Sequence, residues 1–403
     1  MKRLNQKLLF ICLLFTIGLV FLIIASFLIE PEVVEITPLP PQASAPIEDK
    51  ESTIILVGDI MLNRGVEDMI DKHGDGDFNF PFLKIANYLN KANIVFGNLE
   101  SVISDKGNRI GSIYSFRAEP ETVEGLTFAG FNVLSLANNH AFDYGRAALE
   151  DTFLRLKEVG IDCVGAGFNE EEAYFPIIKD IEGTKIAFLA YTNLGSPSWA
   201  AKGENSGIAW VPENDFEKIK ENIKSAKENS DVLIVSLHAG EEYQAELTEF
   251  QIDFAKAAID AGADLVVGHH PHMIQPVEEY GQGYIVYSLG NFIFDQDFSD
   301  ETMKGILLKV IVREGKIENV IPVEIKINQY FQPEIESPIF LILKRTATTI
   351  DKFNNRYYNL GSQKWRVKKI KYSGGELEKN MDNYNCGDSR SCNLLRVVTE
   401  RTT

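Results

Sequence analysis

Short apolar runs and longer stretches with helical spacing alternate along the chain from Thr53 onwards. Residues 53–57, 93–96, 133–136, 185–191, 232–237, 264–267 and 284–288 are the short runs, and their length and β-branched content predict strands. Between them, residues 82–91, 122–129, 146–159, 215–228 and 249–261 predict helices; in the first, Phe82, Ile85, Ala86 and Leu89 fall on one face. Such alternation predicts an α/β domain with mixed sheets. Residues 305–312 and 316–325 alternate across Arg313-Glu314-Gly315, which reads as a hairpin closing that domain. Beyond Gln332 the periodicity weakens, and no internal repeat is visible.

The N-terminal pattern is of a different kind. Residues 8–29 carry no charge and follow Lys2, Arg3 and Lys7. At about 1.5 Å per residue a helix of that length matches the roughly 30 Å hydrocarbon core of a bilayer. The nearest small-x-small cleavage pattern, Ala43-Ser44-Ala45, lies far downstream, so an uncleaved transmembrane helix is favoured over a signal peptide. Basic residues ahead of the span place residues 1–7 in the cytoplasm and everything after Glu30 outside it, as a single-pass protein of the cell membrane. Pro31, Pro38, Pro40, Pro41 and Pro46 make residues 30–51 an extended linker. The domain then covers 52–327, with an extension over 328–403. Within that extension the stretch 343–371, from Lys344 and Arg345 to Lys369 and Lys371, is basic: a solvated face, or a surface for an anionic polymer or lipid head groups. Cys386 and Cys392 are close enough in sequence to form a disulfide in an oxidising compartment.

Composition narrows the function classes. With 403 residues, 45% of them hydrophobic and 10% aromatic, the chain can bury a large core. A net charge of −18 argues against nucleic acid as a partner, because phosphate backbones are bound by clustered Lys and Arg. No Cys-x-x-Cys pair occurs, so a cysteine zinc site has no support.

Five of the six histidines follow strand-like runs, and three stand together in Gly268-His269-His270-Pro271-His272. The polar residues at such positions are Asp59, Asn98, Glu100, Asn139, His140, His238, His269, His270 and His272. Carboxylate, amide oxygen and imidazole without thiolate suit zinc, manganese or iron. Two such ions sharing a bridging carboxylate would clamp the attacking and leaving oxygens of a displacement.

The ordered blocks Gly58-Asp59-Ile60-Met61-Leu62, Gly97-Asn98-Leu99-Glu100, Asn138-Asn139-His140-Ala141-Phe142-Asp143-Tyr144-Gly145, Ser236-Leu237-His238-Ala239-Gly240-Glu241-Glu242-Tyr243, Gly268-His269-His270-Pro271-His272 and Tyr287-Ser288-Leu289-Gly290-Asn291-Phe292 resemble the poly-γ-glutamate capsule synthesis protein family of the CapA type, over residues 52–325. That family in turn resembles the calcineurin-like metallophosphoesterases. The resemblance implies a four-layer sandwich, two mixed sheets face to face with helices outside. It implies one or two divalent ions, with Asp59 and His272 on the first, Glu100 bridging, and Asn139, His238 and His269 on the second. His140 would protonate the leaving group, and Asn98, His270 and Asn291 would stand behind the ligands or face the substrate. Met61 departs from the phosphoesterase pattern, in which a histidine follows the first aspartate by two positions; a thioether is a poor ligand for such a cation.

Two further features remain open from sequence. Residues 291–297 mix aromatics and acids and read either as core plus a solvated turn or as a substrate-facing lip. Trp199 and Trp210 read as packing rather than as a cleft lining. Two functions follow from the resemblance: a surface-anchored, metal-dependent hydrolase or transferase acting on an anionic envelope polymer such as poly-γ-glutamate, or a non-catalytic subunit working with the membrane ligase and export subunits of a capsule complex.

Overall fold

The computed structural model describes residues 51–110, 113–337, 356–360 and 363–367. Two mixed sheets dominate it. In the first, strand Glu51–Ile60 runs parallel to Ile94–Leu99, which continues in parallel to Val133–Ser135 and Asp162–Val164. On its other side Glu51–Ile60 pairs antiparallel with Lys304–Arg313, and then follow Lys316–Ile327 and Pro333–Ser337. The second sheet is centred on Val232–His238, parallel to Thr184–Thr192 on one side and to Leu265–His269 on the other. It is completed by Gly283–Val286 and by the antiparallel edges Ile177–Ile181 and Val277–Tyr280.

Apolar residues fill three layers, and alternation along the strands decides which. Ile54 and Leu56 from the first sheet meet Phe188, Ile234 and Val267 from the second in one buried cluster, with Phe96 and Phe188 stacked at 5.5 Å. Ile55 and Val57 point the other way, toward helices Gly65–His73, Ala86–Leu89, Thr122–Phe128 and Arg146–Glu158. Leu233 and Val235 face helices Glu217–Glu228 and Glu249–Ala261. Burying one such Phe or Leu contributes about 1.5–3 kcal/mol, so the three layers supply most of the driving force.

The predicted elements are largely present, with exceptions that have local causes. Residues 82–91 form a 3-10 turn at Phe80–Phe82 and only a short helix, Ala86–Leu89, because Leu83, Ile85 and Tyr88 donate to carbonyls three residues back and keep the backbone in tight turns. Phe82, Ile85, Ala86 and Leu89 are buried all the same, while Leu83 faces solvent. The hairpin forms as expected: Glu314 and Gly315 have φ of 51° and 70°, the positive values that a two-residue turn of matching twist demands. Helix Gly65–His73 and the edge strands Ile177–Ile181, Val277–Tyr280 and Pro333–Ser337 were not read from the pattern; in Ile177–Ile181, half-buried and exposed positions simply alternate.

Residues 8–29 and most of the linker, like Cys386 and Cys392, lie outside the described residues, so the anchor and the disulfide are untouched by the structure. Among the described residues no helix is long and apolar enough to cross a membrane. Of the basic stretch only the backbone of the paired strands Arg356–Leu360 and Gln363–Val367 is described.

Two glycines set the distance between strands where the candidate residues emerge. A Cβ on Gly58 would lie 1.9 Å from the Gly290 carbonyl oxygen, and one on Gly268 would lie 1.9 Å from that of Tyr287. Only glycine allows these approaches, and they are what bring Asp59 and His269 against the segment that ends at Asn291. Gly58→Ala is expected to lower stability by about 3 kcal/mol, at the upper end for overpacking because backbone must move. An unchanged denaturant midpoint would show that the strands absorb the methyl without cost.

Candidate metal centre

Every candidate residue but Asn291, which opens strand Asn291–Ile293, sits at or just beyond the carboxyl end of a strand, where parallel sheets present ligands. Asp59 closes on a strand whose register slips on both sides: between Leu56 and Asp59 against Ile94–Leu99, and between Asp59 and Ile60 against Asn291–Ile293. Such irregularities re-aim a side chain. Asn98 and Glu100 end the neighbouring strand, Asn138, Asn139 and His140 follow Val133–Ser135, and His238 and His269 are the last residues of paired strands in the second sheet. The two sheets thus bring their strand ends to one place.

There the polar side chains form a continuous buried network. The Asn98 amide donates to Asp59 Oδ1 at 2.9 Å and meets His238 Nδ1 at 3.1 Å. His238 Nε2 lies 2.7 Å from Asn139 Oδ1. The His270 backbone N–H donates to Asp59 Oδ2 at 3.1 Å, while the rings of His269 and His272 each bring Nδ1 to 3.4 Å from an Asp59 oxygen. Around Glu100 Oε1 stand Nε2 of His140 and of His272, both at 3.7 Å, and Nε2 of His238 at 4.0 Å. Those separations exceed hydrogen-bond length.

The residues fit a cation. Glu100 Oε1, both ring nitrogens of His269 and Nδ1 of His270 are buried without a hydrogen-bond partner, a costly state for polar atoms. Burial and the neighbouring Asp59 charge push Glu100 well above the ordinary carboxylate range. Burial works in the same direction on Asp59, but His269 and His272 outweigh it and hold that carboxyl well below. Burial, reinforced by His270, keeps His238 well below the usual imidazole range, and burial together with His272 brings His270 to about 3. Neutral imidazoles are the donor state that a divalent ion uses, and Glu100 would give up its proton on joining them. Side chains close enough to share an ion are Glu100 with His238 and His270, Asp59 with Glu100 and His272, and Glu242 with His270 and His272.

The structure brings Asp59, Glu100, Asn139, His238 and His272 close together. The imidazole grouped with Glu100 and His238 is His270, one residue beyond His269; His270 has φ of 97° and His272 of 54°, a backbone course that alternation along a strand does not foretell. Asn98 and Asn291 stand behind the ligands: Asn291 Oδ1 meets His272 Nδ1 at 2.9 Å, and its amide is tied to Gln296 and the Thr302 carbonyl. Phe292 and Phe294 are core, and Asp295 is paired with Arg64, so 291–297 is packed structure rather than a free lip. Trp199 stacks on Phe142 at 5.3 Å.

Sequence reasoning gave no role to Asn138 or Asp143. Asn138 donates to the Leu99 carbonyl at 2.8 Å and to Asn98 Oδ1 at 3.2 Å. Asp143 Oδ2 lies 2.7 Å from His140 Nδ1 and accepts the Phe116 N–H, while the Phe116 ring stacks on His140 at 4.0 Å. An acid three residues after a histidine was the available signal.

The model of the family described as bacterial capsule synthesis protein PGA_cap matches residues 53–296. The chain belongs to that capsule synthesis protein family. Its relatives include the capsule biosynthesis protein CapA of Bacillus anthracis, 35% identical over 71% of this chain and 71% of its own length. The PGA biosynthesis protein CapA of Bacillus subtilis (strain 168) is 34% identical over 67% of this chain and 70% of its own. Among solved structures, a novel phosphatase of Mycoplasma pneumoniae has a TM-score of 0.42 at 13% identity, covering 72% of this chain and 96% of that one. In this capsule synthesis family member the matched region contains every candidate residue from Asp59 to Asn291 and ends ahead of the Lys304–Arg313 hairpin.

Proposed function

We propose that this capsule synthesis protein is a metal-dependent hydrolase or transferase acting on a phosphoester or amide of an anionic envelope polymer of the poly-γ-glutamate kind. The observation that carries the reading is His140: its ring is clamped by Phe116 and Asp143, and its Nε2 is aimed toward Glu100 inside the buried histidine cluster. Asp143 accepts from Nδ1, so in the imidazolium form the second proton sits on Nε2 and can pass to a leaving atom, returning the ring to the neutral state. Glu100, His238, Asn139 and His270, with Asp59 and His272 beside them, would hold one or two ions of manganese, zinc or iron. Such an ion supplies Lewis-acid polarisation of a phosphoryl or amide oxygen and an activated water. Asn98 braces Asp59 and Asn291 orients His272, while His269, with both ring nitrogens free of hydrogen bonds, would remain available to an ion.

Elemental analysis of the purified chain, paired with assays on phosphodiesters and γ-glutamyl amides, tests this. Bound or readily acquired manganese or zinc, and turnover of one substrate class, are expected. A chain that carries neither metal and takes up neither is the outcome that ends the enzymatic reading. The second reading, a non-catalytic subunit of a polymer-handling membrane complex, draws on Met61: its fully buried thioether accepts the Asn63 N–H at 3.3 Å, so no imidazole stands at that position.

The working domain is placed outside the cytoplasmic membrane, tethered by residues 8–29. The uncharged run behind Lys2, Arg3 and Lys7 supports this. Protease added to intact cells is expected to remove the domain, and full protection would reverse the topology.

A further inference from the structure

The loop bearing Glu242 is fastened to the histidine turn. The Tyr243 N–H donates to the Pro271 carbonyl at 2.9 Å, between His270 and His272. The Tyr243 ring stacks on His272 at 5.8 Å, and its hydroxyl accepts from Gln296 at 3.0 Å. Tyr243 holds φ of 61°, which is uncommon for a bulky residue and occurs beside the positive φ of His270 and His272. Held in this way, a Glu242 carboxylate oxygen comes within 4.8 Å of nitrogens on both His270 and His272. His272 also stands within that distance of Asp59 and Glu100. Nδ1 of His270 is buried without a hydrogen-bond partner.

We infer that Glu242 is a metal ligand, supplying to the His272 position the donor that Met61 does not. This rests on the metal-site reading above. Two facts lead to it: the Met61 sulfur is already engaged by a backbone N–H, and a carboxylate approaches His272 from the loop that follows the neighbouring parallel strand Val232–His238. An oxygen donor added to imidazole and carboxylate favours manganese, zinc or iron over softer ions. Because Glu242 is exposed, it also places that ion at the solvent-facing side of the cluster, where a large polymer can reach it.

Manganese(II) titrated into the purified full-length chain, followed by calorimetry and elemental analysis, decides the matter. The wild type is expected to take up two ions, one tightly and one more weakly. Glu242→Gln should abolish the weaker step or weaken it more than the roughly 10- to 100-fold that loss of an outer hydrogen-bond partner costs, and leave the tight step unchanged. Glu241→Gln, the neighbouring exposed acid, should keep both, and His272→Ala should remove the same step as Glu242→Gln. If Glu242→Gln binds both ions like the wild type, or if the wild type takes up only one, the assignment is overturned while the metal-site reading stands. A wild type that binds no ion removes both.

Discussion

His140→Ala is expected to keep its bound metal and to slow turnover by about 10²- to 10⁴-fold, the usual range for loss of a general acid. The separation of the two effects follows from position. His140 approaches Glu100 Oε1 only to 3.7 Å and spends Nδ1 on Asp143, whereas the groups able to share an ion do not include it. Its removal takes away a proton donor and no ligand. Asp143→Asn should act in the same direction with a smaller loss in kcat and little change in KM, since the ring stays stacked on Phe116 while its hydrogen bond is weakened. Metal content beside kcat and KM checks both variants. Normal kcat in His140→Ala would assign the proton to another group.

His238→Ala should have the opposite signature, with the tight ion gone and all turnover gone with it. Its ring is fully buried, touches Asn139 and Asn98, and shares a group with Glu100 and His270. Its position is fixed, because it is the last residue of a central strand held on both sides by parallel ladders. The truncated variant retains those ladders, so a cooperative unfolding transition should persist and distinguish loss of the ion from loss of the fold. Elemental analysis showing wild-type metal in His238→Ala would move the tight site elsewhere.

Much of the fold was legible because its elements carry their own signals. Helix Glu249–Ala261 appears where the spacing puts it, with Thr248 and Gln251 forming a reciprocal cap at its start. The strand ends were legible for the same reason: apolar runs that stop at Gly-Asp, Gly-Asn or Gly-His announce where polar groups leave the core. What escaped the pattern depends on tertiary closure. Whether His269 or His270 joins Glu100 depends on one backbone angle, and the role of Asp143 exists only once its loop folds back on His140. Glu242 is an ordinary acid in sequence; its meaning comes from the neighbouring Tyr243 N–H, which donates to the Pro271 carbonyl 28 positions on.

The segment from Tyr287 to Asn291 lies against Gly268 of one sheet and Gly58 of the other, with Leu289 donating to the Gly268 carbonyl and Asp59 donating to that of Gly290. It is therefore a seam: the sheets cannot part without pulling the ligands apart, and a side chain at either glycine harms the fold before it harms the chemistry. Descendants that lose catalysis should keep both glycines while their histidines drift. Retained glycines in a relative would then testify to architecture, and only the imidazoles and carboxylates around them to a working centre.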